Sequence, residues 1–230
     1  MAEAAAKRAS GRGRFITFEG GEGSGKSTQI KTLAERLASA KLRAIVTREP
    51  GGSPGAEIIR HLVLSGMGKL LGPEAETLLF AAARDDHVRT VIEPALKQGI
   101  WVLCDRFSDS TRVYQGNLGK VAPAILNAME RVTIGDLKPD LTIILDIPVE
   151  IGMKRAAARR GTEAPDRFEA ESVKFHQDLR EAYRQIAATE PQRCVLVDAN
   201  SDTGTVAANV WAALRDRFFA ASVGNVASSA

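Results

Sequence analysis

Short apolar runs alternate with longer amphipathic stretches along this chain. The runs are rich in Val, Ile and Leu without strict alternation of apolar and polar positions, which is typical of parallel strands covered on both faces. Between them, apolar residues recur at the spacing of helices with one buried face. We predict strands at Phe15–Phe18, Arg43–Thr47, Ile100–Cys104, Leu141–Leu145 and Cys194–Val197, and helices at Ser27–Ala40, within Phe168–Ile186 and at Val206–Phe219.

Strands that alternate with helices predict an α/β fold with a doubly wound, five-stranded parallel sheet flanked by helices. In such sheets, ligands bind beyond the carboxyl ends of the strands. The chain shows no repeat and no Pro/Gly-rich linker, so we expect a single domain over residues 14–230. Residues 1–13 are Ala-rich and lack a continuous apolar segment, so we expect a flexible tail rather than a secretion signal.

The charge distribution argues against a nucleic-acid partner. The net charge is +3, and the first fourteen residues account for it with four basic side chains and one acidic side chain. The rest of the chain is therefore neutral, whereas proteins that bind nucleic acid broadly carry a basic face. No apolar run is long enough to cross a bilayer, so we expect no membrane partner and a cytoplasmic location.

Cysteine and histidine usage predicts no metal site. Cys104 and Cys194 each lie within an apolar run, which suits the buried thiols of a cytosolic chain. The histidines, His61, His87 and His176, are far apart in the sequence. We therefore expect surface or partly buried imidazoles rather than metal ligands.

The most specific motif follows the first predicted strand. It has the form G-x-x-x-x-G-K-[ST], a phosphate-binding loop whose backbone N–H groups converge on one phosphate. Lys26 would place a positive charge near the β- and γ-phosphates, and the Ser27 hydroxyl would complete the shell of a Mg²⁺ ion. The following helix presents its positive end to the anion. The predicted ATP-binding residues are Gly20, Gly21, Glu22, Gly23, Ser24, Gly25, Lys26, Ser27 and Thr28.

Two further polar segments follow predicted strands. Thr47–Ser53 places Arg48 before a Pro and two Gly residues, as in a ligand-binding turn or an ordinary strand-to-helix turn. Asp105 closes the third strand like the acidic residue that orients Mg²⁺ or its waters in phosphoryl-transfer enzymes, although Asp146 fits the same description. Arg106 favours Asp105, because an adjacent arginine can hold a phosphate with two parallel hydrogen bonds.

Two helical segments also carry candidate chemistry. Phe80 and Arg84 share a helix face, where one can stack on a base and the other can donate to its carbonyl oxygens, although a Phe there is usually core. The basic segment 154–167, which a Gly and a Pro interrupt, is typical of a lid over a phosphoryl-transfer site or of a solvated helix end. Its basic residues are Lys154, Arg155, Arg159, Arg160 and Arg167.

Together these collinear motifs resemble the bacterial thymidylate kinase family, within the P-loop nucleoside monophosphate kinases. The resemblance runs from Phe15 to the C-terminal helix. It is carried by Phe18–Thr28, Thr47–Gly52, Phe80–Arg84, Asp105–Phe107, Ser110–Thr111, Tyr114–Gly116, Lys138–Leu141 and Asp166–Glu169. It implies phosphorylation of dTMP to dTDP with ATP and Mg²⁺, in dTTP biosynthesis, by a homodimer formed through helices on one face of the sheet.

The resemblance also implies roles in holding the acceptor. Arg48 and Arg106 resemble the arginines that bind the monophosphate, and Glu22 resembles the acidic residue that approaches the sugar 3′-hydroxyl. Phe80 resembles the residue that stacks on thymine, and Arg84 the donor to its 4-oxo group. The further positions implied to contact the acceptor are Thr111 and Gln115 at the base and Tyr114, which crowds the sugar 2′ position and disfavours ribose.

For catalysis, the resemblance implies Lys26, Asp105, Arg106, Arg159 and Arg160, with Ser27 and Asp105 near Mg²⁺, in part through water. In one branch of the family, an arginine occupies the loop position held here by Gly23. This chain resembles the branch that supplies its catalytic arginine from the lid, and either Arg159 or Arg160 fits that role.

Other functions share parts of this pattern. Adenylate, guanylate, deoxynucleoside and shikimate kinases use the same loop and lid, but the Phe80/Arg84 pair and Asp105–Phe107 favour thymidylate. A nucleotide-gated switch or a partitioning ATPase is a second alternative, and the sequence lacks the Asn-Lys-x-Asp signature of GTPases.

Overall fold

A parallel sheet lies at the centre of the computed structural model, which describes residues 11–162, 164–165 and 167–219. Each strand lies within one residue of its predicted position, so the predicted five-stranded α/β fold is confirmed. The strands are β1 (Phe15–Glu19), β2 (Ala44–Arg48), β3 (Trp101–Asp105), β4 (Leu141–Asp146) and β5 (Cys194–Asp198), in the spatial order β2-β3-β1-β4-β5.

Helices connect the strands and flank the sheet. A 3₁₀ turn at Met67–Leu71 and π-helical turns at Val88–Ile92 and Arg112–Leu118 join neighbouring helices. The helices are α1 (Lys26–Ser39), α2 (Pro54–Leu64), α3 (Pro73–His87), α4 (Glu93–Lys97), α5 (Ser108–Thr111), α6 (Pro123–Thr133), α7 (Val149–Arg160), α8 (Val173–Thr189) and α9 (Thr203–Phe218).

Side-chain caps explain two helix starts that differ from the prediction. The Asp202 carboxylate accepts hydrogen bonds from the N–H groups of Gly204 and Thr205 at 2.9 and 3.0 Å, so α9 begins before Val206. At α8, the Ser172 hydroxyl accepts from Phe175 N at 3.2 Å, and the helix begins directly after this cap. Phe168 therefore lies in the preceding loop rather than in the helix.

Alternate residues of the central strands pack on opposite faces of the sheet. On one face, Ile16 packs with Leu33 of α1 and Val210 of α9 in one apolar cluster. On the other face, Phe15 packs with Ile92 and the helices around it. Because side chains of a strand alternate between faces, adjacent residues of β1 reach both layers of the core.

The edge strands are less covered than predicted. Val46 of β2 is 55% exposed and Leu196 of β5 is 41% exposed, so the prediction that every strand is covered on both faces is wrong for these two. An edge strand has a neighbour on one side only, and here the flanking helices cover its outer part incompletely. Among the described residues, no helix is both long enough and apolar enough to span a membrane.

The strand register brings the candidate polar residues to one edge of the sheet. Asp105 lies level with Phe18 of β1 on one side and with Arg48 of β2 on the other. Residues 1–10 of the predicted tail lie outside the described part of the chain, whereas Gly13 N donates to Leu96 O at 2.8 Å. The predicted lid is also only partly covered, since residues 163 and 166 are not described.

Candidate active site

The predicted phosphate loop connects β1 to α1 and is pressed closely against its surroundings. Gly20 and Gly23 have φ values of +131° and +65°, which favour glycine. A Cβ atom on Gly23 would lie 2.0 Å from the carbonyl oxygen of Gly152 in α7, so no side chain fits there. The loop ends at the N-terminus of α1, where free backbone N–H groups favour the binding of an anion.

Lys26 begins α1 and turns back onto the loop. Its Nζ donates to the carbonyl oxygens of Gly20 and Gly21, both at 3.0 Å. Burial, and then the neighbouring charge of Arg106, lower the pKa of the Lys26 ammonium. A bound polyphosphate would supply the negative charge that this buried ammonium lacks among its direct partners.

Ser27 and Asp105 meet next to the loop. Ser27 Oγ donates to Asp105 Oδ2 at 2.9 Å, which joins the start of α1 to the end of β3. The alternative acidic residue, Asp146, accepts from Arg180 Nε and Nη2 at 2.6 and 2.9 Å, so both of its oxygens are engaged. The geometry therefore favours Asp105 over Asp146 as the acidic residue of the site.

Arg106 lies between the loop and the turn that follows β3. Its Nη2 donates to Glu22 Oε1 at 2.6 Å, and its guanidinium lies 5.2 Å from the centre of the Tyr114 ring. Burial alone would raise the pKa of Glu22, but the charges of Arg106 and Lys26 outweigh it and hold this pKa below its ordinary value. Arg106 has a φ of +68°, and non-glycine residues held in this region are frequent at functional sites.

A buried carboxylate holds this turn in place. Glu19, at the end of β1, accepts hydrogen bonds from Phe107 N at 2.8 Å, Ser110 Oγ at 2.7 Å and Tyr183 OH at 2.9 Å. Burial, followed by the charge of Asp109, raises the pKa of Glu19 to about 7. Glu19 lies within the Phe18–Thr28 motif, but its role is not visible in the sequence, because its partners come from distant elements.

The predicted base-binding residues lie on α3 and on the segment after β3. Phe80 and Arg84 are both buried and face the same cavity, so Phe80 is not simply a core residue. Arg84 Nη2 donates to Thr111 Oγ1 at 3.0 Å. Gln115 and Tyr114 line the same cavity. These side chains offer an aromatic face and hydrogen-bond donors to a ligand.

The two candidate lid arginines share one partner. Arg159 Nη2 donates to Glu169 Oε1 at 3.1 Å, and Arg160 Nη1 donates to Glu169 Oε2 at 2.7 Å. Arg159 lines the cavity and is 64% exposed, whereas Arg160 lies outside the lining and is 23% exposed. The geometry therefore distinguishes two residues that the sequence alone left equivalent.

One cavity of about 390 Å³ brings most of the predicted residues together. Gly20 and Gly21, like Arg160, are outside its lining, although the loop they belong to forms one wall. The predicted residues that line it are Glu22, Gly23, Ser24, Gly25, Lys26, Ser27, Thr28, Arg48, Phe80, Arg84, Asp105, Arg106, Thr111, Tyr114, Gln115 and Arg159.

Comparison with known proteins shows the family of the chain. A family model described as thymidylate kinase matches residues 18–210. The chain belongs to the thymidylate kinase family. The kinase is therefore a nucleoside monophosphate kinase that phosphorylates dTMP, as predicted, and the other acceptor classes and the switch proteins are set aside.

Similar proteins agree with this assignment. The kinase is 79% identical to a thymidylate kinase of Bradyrhizobium diazoefficiens over 217 residues, which are 94% of this chain and 95% of the relative. It is 76% identical to a thymidylate kinase of Nitrobacter winogradskyi over 230 residues, the full length of both chains. The crystal structure of a thymidylate kinase from Ehrlichia chaffeensis matches with a TM-score of 0.70 and 31% identity, covering 89% of this chain and 99% of that one.

Several residues around the cavity of the kinase were not predicted. Arg60 and Leu64 of α2 line it, and Arg60 Nη1 donates to Pro50 O at 2.6 Å. Neither residue belongs to a motif. An arginine or a leucine on an amphipathic helix is common, so the sequence does not indicate that these two line a site. The prediction that the histidines are at most partly buried is wrong for His87 and His176, which are both buried.

Proposed function

We propose that the kinase binds dTMP and the triphosphate of ATP in the same cavity, with the acceptor phosphate beside Arg106. One observation carries this proposal: Lys26 and Ser27 of the phosphate loop and Phe80 and Arg84 of the base pocket line a single cavity. A donor and an acceptor can thus be aligned before reaction, which removes much of the entropic part of the barrier.

We also propose a cytoplasmic location for the kinase. Its nucleotide substrates and the free thiols of Cys104 and Cys194 both suit that compartment.

The acceptor would be held along its whole length. Phe80 offers its ring to the pyrimidine, and Arg84, Thr111 and Gln115 offer polar contacts to the base edge. The further roles that we propose are Tyr114 beside the sugar 2′ position, Glu22 near the 3′-hydroxyl, and Arg48 with Arg106 at the monophosphate. Arg48 lies at the rim, where its Nη2 pairs with Glu57 Oε1 at 3.1 Å.

Mg²⁺ is the further cofactor that we propose. The Ser27 hydroxyl and the Asp105 carboxylate are hard oxygen ligands only 2.9 Å apart, and Mg²⁺ prefers such ligands together with phosphate oxygens and water. These two residues would hold the ion directly or through its waters. When bound, Mg²⁺ would neutralise charge on the β- and γ-phosphates of ATP.

The reaction requires little base catalysis from the protein. A phosphate monoester has a second pKa near ~6, so dTMP is mostly dianionic at neutral pH and is itself the nucleophile. The protein's task is to align this dianion and to stabilise charge on the transferred group. We assign the charge stabilisation to Lys26 and to Arg159, the lid arginine that lines the cavity. The lid itself would be the segment 154–167.

Arg84→Ala tests the base pocket. We expect the KM for dTMP to rise roughly 10- to 100-fold, because loss of the donor leaves a base oxygen without its partner. The KM for ATP should change little. Steady-state kinetics with each substrate varied in turn measure both constants, and Arg89→Ala, at an exposed arginine that follows the same helix, is the control. A rise confined to ATP would contradict this placement.

We propose a homodimer through α2, α3 and α6, which pack side by side on one face. Each of these helices exposes a large apolar side chain, namely Ile58 at 73%, Leu78 at 50% and Val132 at 77%, and the 3₁₀ turn between α2 and α3 exposes Leu70 at 87% and Leu71 at 60%. Exposed apolar side chains that form a patch are typical of an interaction surface. A second copy of the chain is the occupant that fits, because a twofold axis can bury identical apolar patches against each other.

Analytical ultracentrifugation tests the dimer. The unmodified chain should sediment as a dimer, and Ile58→Asp should sediment as a monomer, because the dimer would bury its charge without a partner. Val173→Asp, at an exposed apolar residue outside this face, is the matched control and should leave the dimer intact. A monomeric unmodified chain at micromolar concentration would contradict the proposal.

A further inference from the structure

A buried polar chain forms part of the wall of the base pocket, where Glu49 lines the same cavity as Arg84, and its members Glu49 and His87 have no part in the roles assigned so far. Glu49, Arg84 and His87 are all buried. Arg84 Nε donates to Glu49 Oε2 at 2.7 Å, and His87 Nδ1 lies 3.0 Å from Glu49 Oε1. Each oxygen of the Glu49 carboxylate thus has its own partner. A buried carboxylate paired in this way fixes the side chains around it, because an alternative arrangement would strand a charge.

The other side of the imidazole is fixed as well. A carboxylate only accepts hydrogen bonds, so Nδ1 of His87 carries the hydrogen and donates to Glu49. His87 Nε2 lies 2.6 Å from Thr47 Oγ1 at the end of β2. A Cβ atom on Gly52 would lie 2.5 Å from this Nε2, so the imidazole is packed tightly against the backbone of the loop. His87 therefore has no room to turn away from Glu49.

Glu49 makes one of several contacts that together fix the plane of the Arg84 guanidinium. Nε is bound by Glu49, Nη2 donates to Thr111 Oγ1 at 3.0 Å, and the guanidinium lies 5.3 Å from the centre of the Phe107 ring. A guanidinium is a planar set of donors. With these contacts in place, Arg84 can offer hydrogen bonds to the cavity in one orientation only.

We propose that Glu49, held in place by His87, is a positioning residue that orients Arg84 and thereby selects an acceptor base with a carbonyl oxygen at C4. This inference rests on the proposed contact between Arg84 and the base. Arginine has no acceptor, so a fixed guanidinium favours the 4-oxo group of thymine and opposes the 4-amino group of cytosine, which is also a donor. A guanidinium free to move could instead donate to the ring N3 of cytosine, which is an acceptor, and would therefore discriminate less between the two bases.

Glu49→Gln in the full-length chain tests the inference, because it preserves the shape and removes the charge. We expect the KM for dTMP to rise roughly tenfold, because the hydrogen bond from Arg84 loses its charge-assisted strength, while the KM for ATP is preserved. The ratio of kcat/KM for dTMP to that for dCMP should fall. Asp140→Asn is the control, because Asp140 accepts from Phe15 N at 2.7 Å at the opposite edge of the sheet.

The outcomes separate this inference from the base-pocket proposal. If Arg84→Ala leaves the KM for dTMP unchanged, the base contact itself is wrong. If Arg84→Ala raises that KM but Glu49→Gln changes neither the KM nor the dTMP/dCMP ratio, the positioning role alone is overturned. A loss of thermal stability with equal effects on both substrates also overturns it. If Glu49→Gln does not stay folded, His87→Leu, which removes the hydrogen bond to Glu49, must lower the dTMP/dCMP ratio for the inference to stand.

Discussion

Lys26→Ala should lower kcat by roughly 10²- to 10³-fold or more, since it removes a preorganised charge at the transferred phosphate. The Lys26 ammonium is buried against the loop carbonyls, 3.0 Å from two of them, and burial lowers its pKa. Its positive charge is thus unfavourable in the protein alone and becomes favourable when the triphosphate binds. We therefore expect the variant to stay folded and to lose activity.

Steady-state kinetics and a thermal melt measure the two parts of this prediction. Lys31→Ala is the matched control, because Lys31 lies on the same helix, is exposed and does not line the cavity. A Lys26 variant that keeps kcat within about tenfold of the original, against the 10²- to 10³-fold expected, would refute the assignment of the phosphate loop. A variant that melts far below the original would instead show that the lysine has a structural role.

Arg159→Ala should lower kcat roughly 10³-fold, within the range that an arginine in phosphoryl transfer contributes, and Arg160→Ala should have a much smaller effect. The physical reason is placement, since Arg159 lines the cavity and Arg160 does not. Both pair with Glu169, so either variant disturbs the same carboxylate and each is a control for the other.

Single-turnover kinetics, with the enzyme in excess over dTMP and with saturating ATP, separate the chemical step from product release. The KM for dTMP should change little in the Arg159 variant, because the proposed contact is with the transferred group. The reverse order, with Arg160→Ala the more damaging, would show that the lid rearranges before reaction and would contradict the assignment.

The sheet could be predicted from the sequence because its signal is local. Each strand is a short apolar run, and the five predicted positions agree with the structure within one residue. The exposure of the edge strands could not be predicted, because Val46 in the edge strand β2 is of the same residue type as buried residues of the central strands. Helix starts differ where a cap decides them, as at Asp202, since the cap acts before the apolar periodicity begins.

The candidate site divides in the same way. Lys26 and Ser27 belong to a contiguous motif whose chemistry follows from its spacing. Glu19 and Glu49 lie within such motifs and His87 lies in none, but the sequence indicates no role for any of them, because their partners are 35 or more residues away in the chain. A buried carboxylate and an exposed one look alike in a sequence, and only tertiary contacts distinguish them.

The close packing of Gly23 against Gly152 restricts which residues the phosphate loop can carry. The backbone of α7 occupies the volume into which a side chain at position 23 would extend, because a Cβ on Gly23 would lie 2.0 Å from Gly152 O and a Cβ on Gly152 would lie 2.5 Å from Glu22 O. An arginine carried by the loop and a helix packed this tightly on it are mutually exclusive. In this chain, a loop arginine at position 23 would require α7 to lie farther from the loop, so the position of α7 and the proposed supply of the cation from the lid are physically linked.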